Sequence, residues 1–369
     1  MAQTTSAAVV PMNDLGRGIV RDRKLLNTAM ARVLDSGYVV LGPQHNAFQA
    51  AMAEYLGVSS VIGVASGTDA LELAIKVAMP EGKNTVLTAA NAGGYTTTAA
   101  RCAGFRVRYA DVDPDSLCLS AATVVDALID EIGVVVVTHL YGNLTDIRTI
   151  VDMCHSRGIR VIEDCAQAIG ARRDAGAAGS FGDLAAVSFY PTKNLGALGD
   201  GGAVVTSTPE FAQRVTQLRQ YGWESKYRVA VAGGMNSRLD ELQAAFLLAR
   251  LPLLDSFNER RREIVGQYVA AAQGGPLHVL PAEGTHHVAH LAVAVTPRRD
   301  EIRDQLAARG VLSDVHFPVP DHHQPGFEAL PHVLPVTERA TLEVLSLPCF
   351  PELTDDEINV VCDAIRLLE

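Results

Sequence analysis

Short runs of β-branched and apolar residues alternate with longer amphipathic stretches over residues 60–206 of the chain. Near-continuous apolar runs of this length are typical of strands buried on both faces of a parallel sheet. Seven runs are predicted as strands: Val61–Val64, Thr85–Thr88, Val107–Ala110, Val134–Thr138, Arg160–Glu163, Ala185–Phe189 and Ala203–Thr206. Their alternation with helical patterns favours an open α/β sandwich, in which ligands bind beyond the carboxyl ends of the strands.

The pattern changes after about residue 207, where helices and a few strands alternate less regularly. The last helix is indicated most clearly, because Thr354 and Glu357 have the spacing of a capping box. The apolar residues that follow recur on one helical face, at Ile358, Val361, Cys362, Ile365 and Leu368. We therefore predict a large domain over residues 1–250, with the mostly parallel sheet, and a smaller C-terminal α+β domain over 251–369.

Composition narrows the function classes. The 369 residues include 42 acidic and 31 basic side chains, a net charge of −11, and 48% are hydrophobic. Such a chain folds, and its acidic balance disfavours nucleic acid as a partner, since binding the phosphate backbone needs a basic face. The start, Met1–Thr5, lacks the features of a signal peptide, and no apolar window could span a membrane. The six cysteines form no Cys-x-x-Cys pair. We predict a cytoplasmic protein with reduced thiols.

The segment Ala65–Leu71 joins a predicted strand to a predicted helix. Gly67 permits close approach of the backbone, and the amides of the following helix point at whatever lies there, which favours a phosphate group. The alternative is an ordinary turn between strand and helix, with Thr68 as the N-cap.

Asp164 falls where the apolar strand Arg160–Glu163 ends, so its carboxylate can face a ligand. A negative charge at this place would favour the protonated form of a heteroaromatic nitrogen. The alternative is a loop aspartate that caps a helix or forms a surface ion pair.

The segment Ser188–Gly196 brings one lysine, Lys193, into a tight turn at the end of a strand. A lysine kept away from water loses part of its proton affinity and becomes a nucleophilic amine, which suits a Schiff base with an aldehyde. A single loop lysine is usually a solvated charge. The combination of lysine, upstream aspartate and phosphate turn at separate strand ends favours the catalytic interpretation.

A fourth segment, Gly233–Glu241, precedes an amphipathic helix and offers Asn236 and Arg238 as polar contacts. The alternative is a helix start capped by Ser237.

At these residues the chain resembles the pyridoxal 5′-phosphate (PLP)-dependent nucleotide-sugar aminotransferases of the DegT/DnrJ/StrS group, over nearly its whole length. Two motifs carry the resemblance, Ser-Phe-Tyr-Pro-Thr-Lys-Asn-Leu-Gly from Ser188 with Gly-Asp-Gly-Gly from Gly199, and Asn-Ser-Arg-Leu-Asp-Glu-Leu-Gln-Ala-Ala from Asn236. The resemblance implies the aspartate aminotransferase-like fold (fold type I) and PLP as cofactor. Pyridoxamine phosphate would be the form that carries the amino group between substrates.

The resemblance also implies roles for residues. Lys193 matches the lysine that forms the Schiff base and later moves the proton, and Asp164 matches the acid paired with the pyridinium nitrogen. The cofactor-binding set it implies is Gly67, Thr68, Tyr95, Asp164, Gln167, Ser188, Lys193 and Asn236. In this set Gln167 lies beside the phenolic oxygen, and Gly67, Thr68 and Ser188 hold the phosphate. Asn236 completes the phosphate cradle from the neighbouring subunit, which implies a homodimer with shared active sites.

One cofactor position departs from the family pattern. Tyr95 lies where an aromatic side chain stacks on the pyridine ring, but this chain reads Asn-Ala-Gly-Gly-Tyr from Asn91 instead of the commoner Asn-Thr-Tyr.

The substrates implied are L-glutamate as amino donor and a nucleotide-linked keto-6-deoxyhexose as acceptor. Tyr190, Arg238, His316 and Phe317 are the candidate substrate-binding residues. Tyr190 and His316-Phe317-Pro318 resemble the branch that acts on dTDP-3-keto-6-deoxyhexoses. The alternatives are a 4-keto-sugar aminotransferase and a non-catalytic PLP-binding regulator.

The sequence disfavours two further classes of enzyme, metal-dependent and nicotinamide-dependent. His286, His287 and His290 have helical spacing for a metal site, but their surroundings are rich in strand-forming residues and lack a His-Glu-x-x-His pattern. We therefore expect no metal. No Gly-x-Gly-x-x-Gly follows the first strand, which disfavours a nicotinamide-dependent enzyme.

Overall fold

The computed structural model describes residues 9–327 and 332–369; the start Met1–Thr5, predicted to lack a signal peptide, lies outside these ranges. The α-helices are α1 (Leu15–Ser36), α2 (Pro43–Leu56), α3 (Gly67–Ala78), α4 (Tyr95–Cys102), α5 (Ala121–Ala127), α6 (Ile147–His155), α7 (Pro209–Leu218), α8 (Glu241–Arg250), α9 (Leu254–Ala271), α10 (Arg299–Ala308), α11 (Pro335–Glu343) and α12 (Asp355–Arg366). Short 3₁₀ turns lie at Leu140–Gly142, Leu251–Leu253 and Asp321–His323.

The strands are β1 (Ser60–Val64), β2 (Thr85–Ala89), β3 (Arg106–Ala110), β4 (Ile132–Thr138), β5 (Arg160–Asp164), β6 (Arg172–Arg173), β7 (Gly176–Ala177), β8 (Leu184–Ser188), β9 (Gly202–Thr206), β10 (Trp223–Ser225), β11 (Arg228–Val229), β12 (His278–Val279), β13 (Ala292–Val295) and β14 (Val344–Leu347). Each of the seven predicted runs matches one strand to within two residues at either end. None of the described helices is long and apolar enough to cross a membrane.

Seven strands form the central sheet in the order β1-β9-β8-β5-β4-β2-β3. Strand β9 pairs antiparallel with both of its neighbours, and the remaining pairs are parallel. The prediction of a mostly parallel seven-stranded sheet is therefore confirmed. Strands β1, β4, β5 and β8 run in one direction, so their carboxyl ends meet at the same edge.

Both faces of this sheet are buried. Along β4, Val134 and Val136 pack in a cluster with α3 and α7, while Val135 and Val137 pack in another with α2 and α6. Successive residues of a strand point to opposite faces, so a run of valines buries both. This explains why the strands read as continuous apolar runs instead of alternating ones.

The C-terminal part has its own apolar cluster around the antiparallel sheet β12-β13-β14 and helices α9, α10 and α12. The predicted capping box of the last helix is confirmed, because the Thr354 and Glu357 side chains each bond the other's backbone amide. Val10 also packs in this cluster and bridges to Val311. The boundary predicted at residues 250/251 falls at the 3₁₀ turn between α8 and α9, and it stays a prediction.

The buried carboxylate of Glu241 closes the start of α2 from a distance of almost 200 residues in sequence. It accepts hydrogen bonds from the amides of Gly42 (2.8 Å), Gln44 and His45 (3.1 Å). The N-cap residue Gly42 has no side chain that could do so. Glu241 thus satisfies amides that a helix start leaves without partners, and its charge suits that end of the helix dipole.

Glu241→Ala is expected to lower the free energy of unfolding by about 3 kcal/mol, because three amides lose a charged acceptor in a buried place. Urea unfolding followed by circular dichroism measures this. The matched control is Glu259→Ala on the exposed face of α9, which should change stability by less than about 0.5 kcal/mol. Equal effects of the two substitutions would contradict the capping role.

Candidate active site

The structure brings three of the four polar segments to one edge of the central sheet. Gly67 follows β1, Asp164 ends β5, and Lys193 lies in the loop after β8. These strands run parallel to one another, so the predicted position of each residue at a common edge is confirmed. The chemical roles of the residues stay predictions.

The turn after β1 is shaped for close approach between two strand ends. A Cβ atom at Gly67 would lie 2.7 Å from the Cβ atom of Ser188, a distance that real side chains do not tolerate. The N-cap of α3 is Ser66, whose Oγ accepts from the Asp69 amide at 3.1 Å. The alternative with Thr68 as N-cap is wrong, because Thr68 lies inside the first turn.

The fourth segment is tied to this turn through Ser237. The fully buried Ser237 hydroxyl donates to Asp69 Oδ2 at 2.6 Å and accepts from the Ala65 amide at 3.0 Å. Helix α8 begins only at Glu241, with Asp240 at the N-cap. The alternative in which Ser237 caps this helix is therefore wrong, and sequence reasoning missed its actual contacts, although the residue lies inside the Asn-Ser-Arg motif.

Asp164 is almost fully buried at the end of β5. Its Oδ2 accepts from Thr138 Oγ1 at 3.1 Å, and its Oδ1 accepts from the Ala166 amide at 3.1 Å. Burial raises the pKa of this carboxyl, while the Ala166 amide and the charge of Lys193 act in the opposite direction. These contacts hold the carboxylate in one orientation, and a cationic partner beside it would favour its ionised form.

Lys193 is half-buried in a tight turn in which its amide donates to the Tyr190 carbonyl at 2.8 Å. Burial lowers the pKa of its amine from 10.5 to about 8, and the charge of Asp164 offsets part of this shift. A lysine with this pKa has a substantial neutral, nucleophilic fraction near neutral pH.

Gln167 lies in the loop after β5, three residues beyond Asp164. Its Oε1 accepts from the Tyr141 amide at 2.6 Å, at a residue whose φ of +61° is unusual for a tyrosine. The bond fixes the orientation of the side-chain amide, so its nitrogen is left as the donor toward a ligand.

Three of the predicted site residues are aromatic: Tyr95, Tyr190 and Phe317. Tyr95 is 53% exposed and Tyr190 is 52% exposed. The ring of Phe317 lies edge-on to Tyr95 at 6.1 Å and covers Gly93, where a Cβ atom would be 2.4 Å from that ring. Gly93, with a φ of +80°, therefore makes room for Phe317, which gives a physical reason for the departure from the commoner family sequence.

The remaining predicted residues lie around this arrangement. His316 is half-buried, its Nδ1 lies 2.8 Å from Ser346 Oγ, and burial together with the Lys193 charge lowers its pKa. Asn236 is exposed, and Arg238 is half-buried near Arg219. Sequence reasoning missed Ser346 and Thr138, because neither stands in a motif and each contact is long-range.

His286, His287 and His290 do not belong to either group of metal-ligating side chains among the described residues. In the described ranges, the groups whose ligand atoms lie within 4.8 Å of one another are His139–Glu163–Cys165 and His322–His323–Glu338. Glu163 already accepts from the amides of Gly179, Phe181 and Gly182, which is the pattern of a structural carboxylate.

The geometry fits PLP in three independent respects. The first-turn amides of α3, where Gly67 leaves no room for a side chain, can bind a phosphate group. The fixed carboxylate of Asp164 can pair with a protonated ring nitrogen. The amine of Lys193, with its lowered pKa, can join an aldehyde.

Comparison with known proteins gives a consistent result. Residues 21–366 match the DegT/DnrJ/EryC1/StrS aminotransferase family. The dTDP-3-amino-3,4,6-trideoxy-α-D-glucose transaminase of Streptomyces venezuelae is 38% identical, over 99% of this chain and 98% of its own. The UDP-N-acetyl-3-dehydro-α-D-glucosamine 3-aminotransferase of Acidithiobacillus ferrooxidans is 37% identical, over 98% of each. The crystal structure of S. venezuelae DesV in complex with a ketimine intermediate superposes with a TM-score of 0.93, at 38% identity and 98% coverage of both chains.

Proposed function

The chain belongs to the DegT/DnrJ/EryC1/StrS aminotransferase family, and from this premise we propose its substrates and the roles of its residues. It transfers the amino group of L-glutamate, with PLP, to carbon 3 of a nucleotide-linked 3-keto-6-deoxyhexose. The nucleotide we propose is dTDP. The observation that carries the chemistry is the placement of Lys193 and Asp164 at the carboxyl ends of neighbouring parallel strands, next to the start of α3.

The chain's own residues bind and orient the cofactor. The amides of Gly67 and Thr68 and the hydroxyl of Ser188 would hold the phosphate. Asp164 would keep a proton on the ring nitrogen, because its carboxylate is fixed by Thr138 and the Ala166 amide. PLP, when bound, supplies an electron-accepting ring that stabilises the charge left after a proton departs from the carbon bearing the amine.

Lys193 would carry out the proton transfers. Its Nζ would take the proton from the α-carbon of glutamate and return a proton to carbon 3 of the sugar in the second half of the reaction. A general base acts best when its pKa is near the working pH. Burial lowers the pKa of the Lys193 amine to about 8.

The names of two relatives support carbon 3 as the reacting position. Two relatives, one acting on a dTDP-linked and one on a UDP-linked sugar, are both named as transaminases or aminotransferases for position 3. Tyr190 and Tyr95 are exposed, and the Tyr95 ring contacts the edge of the Phe317 ring, so these side chains offer surfaces against which a hexose ring would pack. Because the relative named for a UDP-linked sugar is nearly as similar, at 37% identity, a UDP-linked 3-keto sugar is the second candidate substrate.

The homodimer predicted from the sequence has support in exposed surface. Several apolar side chains on α1 and just after it are exposed: Val20, Leu34, Tyr38 and Val39. Asn236 is likewise exposed, as required of a residue that would complete the phosphate cradle of a second copy. Exposed apolar side chains along one helix and the residues after it are typical of interaction surfaces.

The substrate assignment is tested by measuring 2-oxoglutarate release from L-glutamate with four acceptors. These are dTDP-3-keto-6-deoxyglucose, its galacto epimer, a UDP-linked 3-keto sugar and a dTDP-linked 4-keto sugar. We expect kcat/KM for at least one dTDP-3-keto sugar to exceed that for the 4-keto sugar at least about 100-fold. A site that forms hydrogen bonds with the polar groups of its substrate discriminates strongly against a sugar that lacks a matching group. Turnover of the 4-keto sugar alone would contradict the proposal, and preference for the UDP-linked sugar would select the second candidate.

A further inference from the structure

Asn194, the residue after Lys193, is held by a buried network of amide and imidazole groups. Its Nδ2 donates to Asn258 Oδ1 at 2.7 Å and to the Val288 carbonyl at 3.1 Å. Its Oδ1 lies 2.8 Å from His290 Nδ1. Because the Asn194 nitrogen is the donor in two bonds, its oxygen is the acceptor in the third. His290 therefore carries a proton on Nδ1, and its Nε2 has a free lone pair if the ring is neutral.

His290 is fixed from its backbone as well as from its side chain. Only 6% of its surface is exposed, and its carbonyl accepts from Arg261 Nη1 at 3.2 Å. The partner of Asn194 on α9, Asn258, also donates to the Ile169 carbonyl at 3.1 Å. The network thus joins the lysine loop to α9 and to the loop that follows β5, so the turn holding Lys193 cannot move independently of them.

The charges around this network keep the imidazole neutral. Burial lowers the pKa of His290 well below 6.5, and the neighbouring Lys193, Arg261 and His316, which oppose a further positive charge beside them, act in the same direction. Burial and the Lys193 charge also lower the pKa of His316, with Asp314 opposing them. The amine of Lys193 therefore has neutral imidazoles in its surroundings, and Asp164 is the carboxylate that acts on it.

We propose that His290 is a positioning residue for the amino-transfer reaction, which fixes the turn of Lys193 through the side chain of Asn194. The inference rests on the proposed role of Lys193. A fixed turn keeps the amine buried beside Asp164 in the absence of any ligand. It also keeps water away from the amine, and this sustains the lowered pKa of Lys193. Polar networks in which every group has a partner give this kind of rigidity.

The test measures acetylation of Lys193 by acetic anhydride as a function of pH, in the full-length chain freed of PLP, with mass spectrometry of the Lys193 peptide. The wild-type amine should titrate near pH 8. In His290→Leu the midpoint should rise by at least about one unit toward 10.5, as water reaches the amine. In His290→Asn it should stay near 8, because the asparagine nitrogen can donate to Asn194 in place of Nδ1. An unmoved midpoint in His290→Leu, or an equal rise in both variants, would overturn the inference.

A matched control separates the network from general loosening of the segment. His287 is buried three residues earlier, and its Nδ1 accepts from the Ala289 amide instead of contacting the lysine loop. His287→Leu should leave the Lys193 midpoint unchanged. A rise equal to that of His290→Leu would show that any damage to the segment moves the amine.

A second variant keeps the inference testable if His290→Leu does not fold. Asn194→Ala removes the other end of the same hydrogen bond and should raise the midpoint in the same direction. Where both variants fold, the double variant should shift no further than the larger single change, since Asn194→Ala already removes the hydrogen bond that His290→Leu would remove. Additive shifts would contradict this. The labelling needs neither cofactor nor sugar, so its outcome is independent of whether the proposed reaction occurs.

Discussion

Lys193→Ala is expected to abolish covalent attachment of PLP and to reduce amino transfer by about 10⁴-fold or more. The variant loses both the amine that joins the aldehyde and the base that moves the proton, and a positioned base alone contributes about 10² to 10⁴ in rate. Burial lowers the pKa of this amine to about 8, which increases the fraction that is neutral and nucleophilic near neutral pH. The measurements are the visible absorption of the PLP-loaded protein and single-turnover release of 2-oxoglutarate from L-glutamate.

The matched control for this substitution is Lys83→Ala. Lys83 lies just before β2, at the amino end of a parallel strand and therefore at the opposite edge of the sheet from the site. It should retain the visible band and the wild-type rate. If Lys193→Ala keeps the band, or transfers the amino group at more than a few per cent of the wild-type rate, Lys193 is not the residue that carries the chemistry.

Asp164→Asn should lower kcat by about 10² to 10³-fold and weaken PLP binding, while the fold stays intact. The amide has nearly the same shape, but it cannot favour a proton on the ring nitrogen as a carboxylate does. Steady-state kinetics with saturating PLP, together with a fluorescence titration of PLP, separate the loss of rate from the loss of binding.

Asp183→Asn is the comparison for this variant. Asp183 accepts from the Val161 amide and from Arg160 at the amino end of β8, away from the site. Its replacement should affect stability more than kcat. A kcat for Asp164→Asn within about threefold of the wild type would show that the ring nitrogen needs no carboxylate in this protein.

The fold was largely predictable because its signals are local. The strands of the central sheet are β-branched runs buried on both faces, and the last helix carries its capping box in four consecutive residues. Such patterns report directly on burial and on helix ends. The positions of Gly67, Asp164 and Lys193 followed from the same logic, since each stands at the end of a run.

The long-range contacts that shape the site could not be predicted from local sequence patterns. Glu241 caps a helix that begins almost 200 residues earlier, and Ser237 joins Asp69 instead of capping its own helix. The ring of Phe317 fills the space above Gly93, although more than 200 residues separate the two. In each case a side chain is used by a distant segment, and spacing along the sequence carries no information about it.

Borohydride reduction of the PLP-loaded protein, followed by digestion and mass spectrometry, tests the central claim most directly. The reagent makes permanent the carbon–nitrogen bond between PLP and the amine that holds it. One modified peptide is expected, the peptide that contains Lys193, and none is expected in Lys193→Ala. Modification of a different lysine, or of no residue in a protein that transfers the amino group, would contradict it.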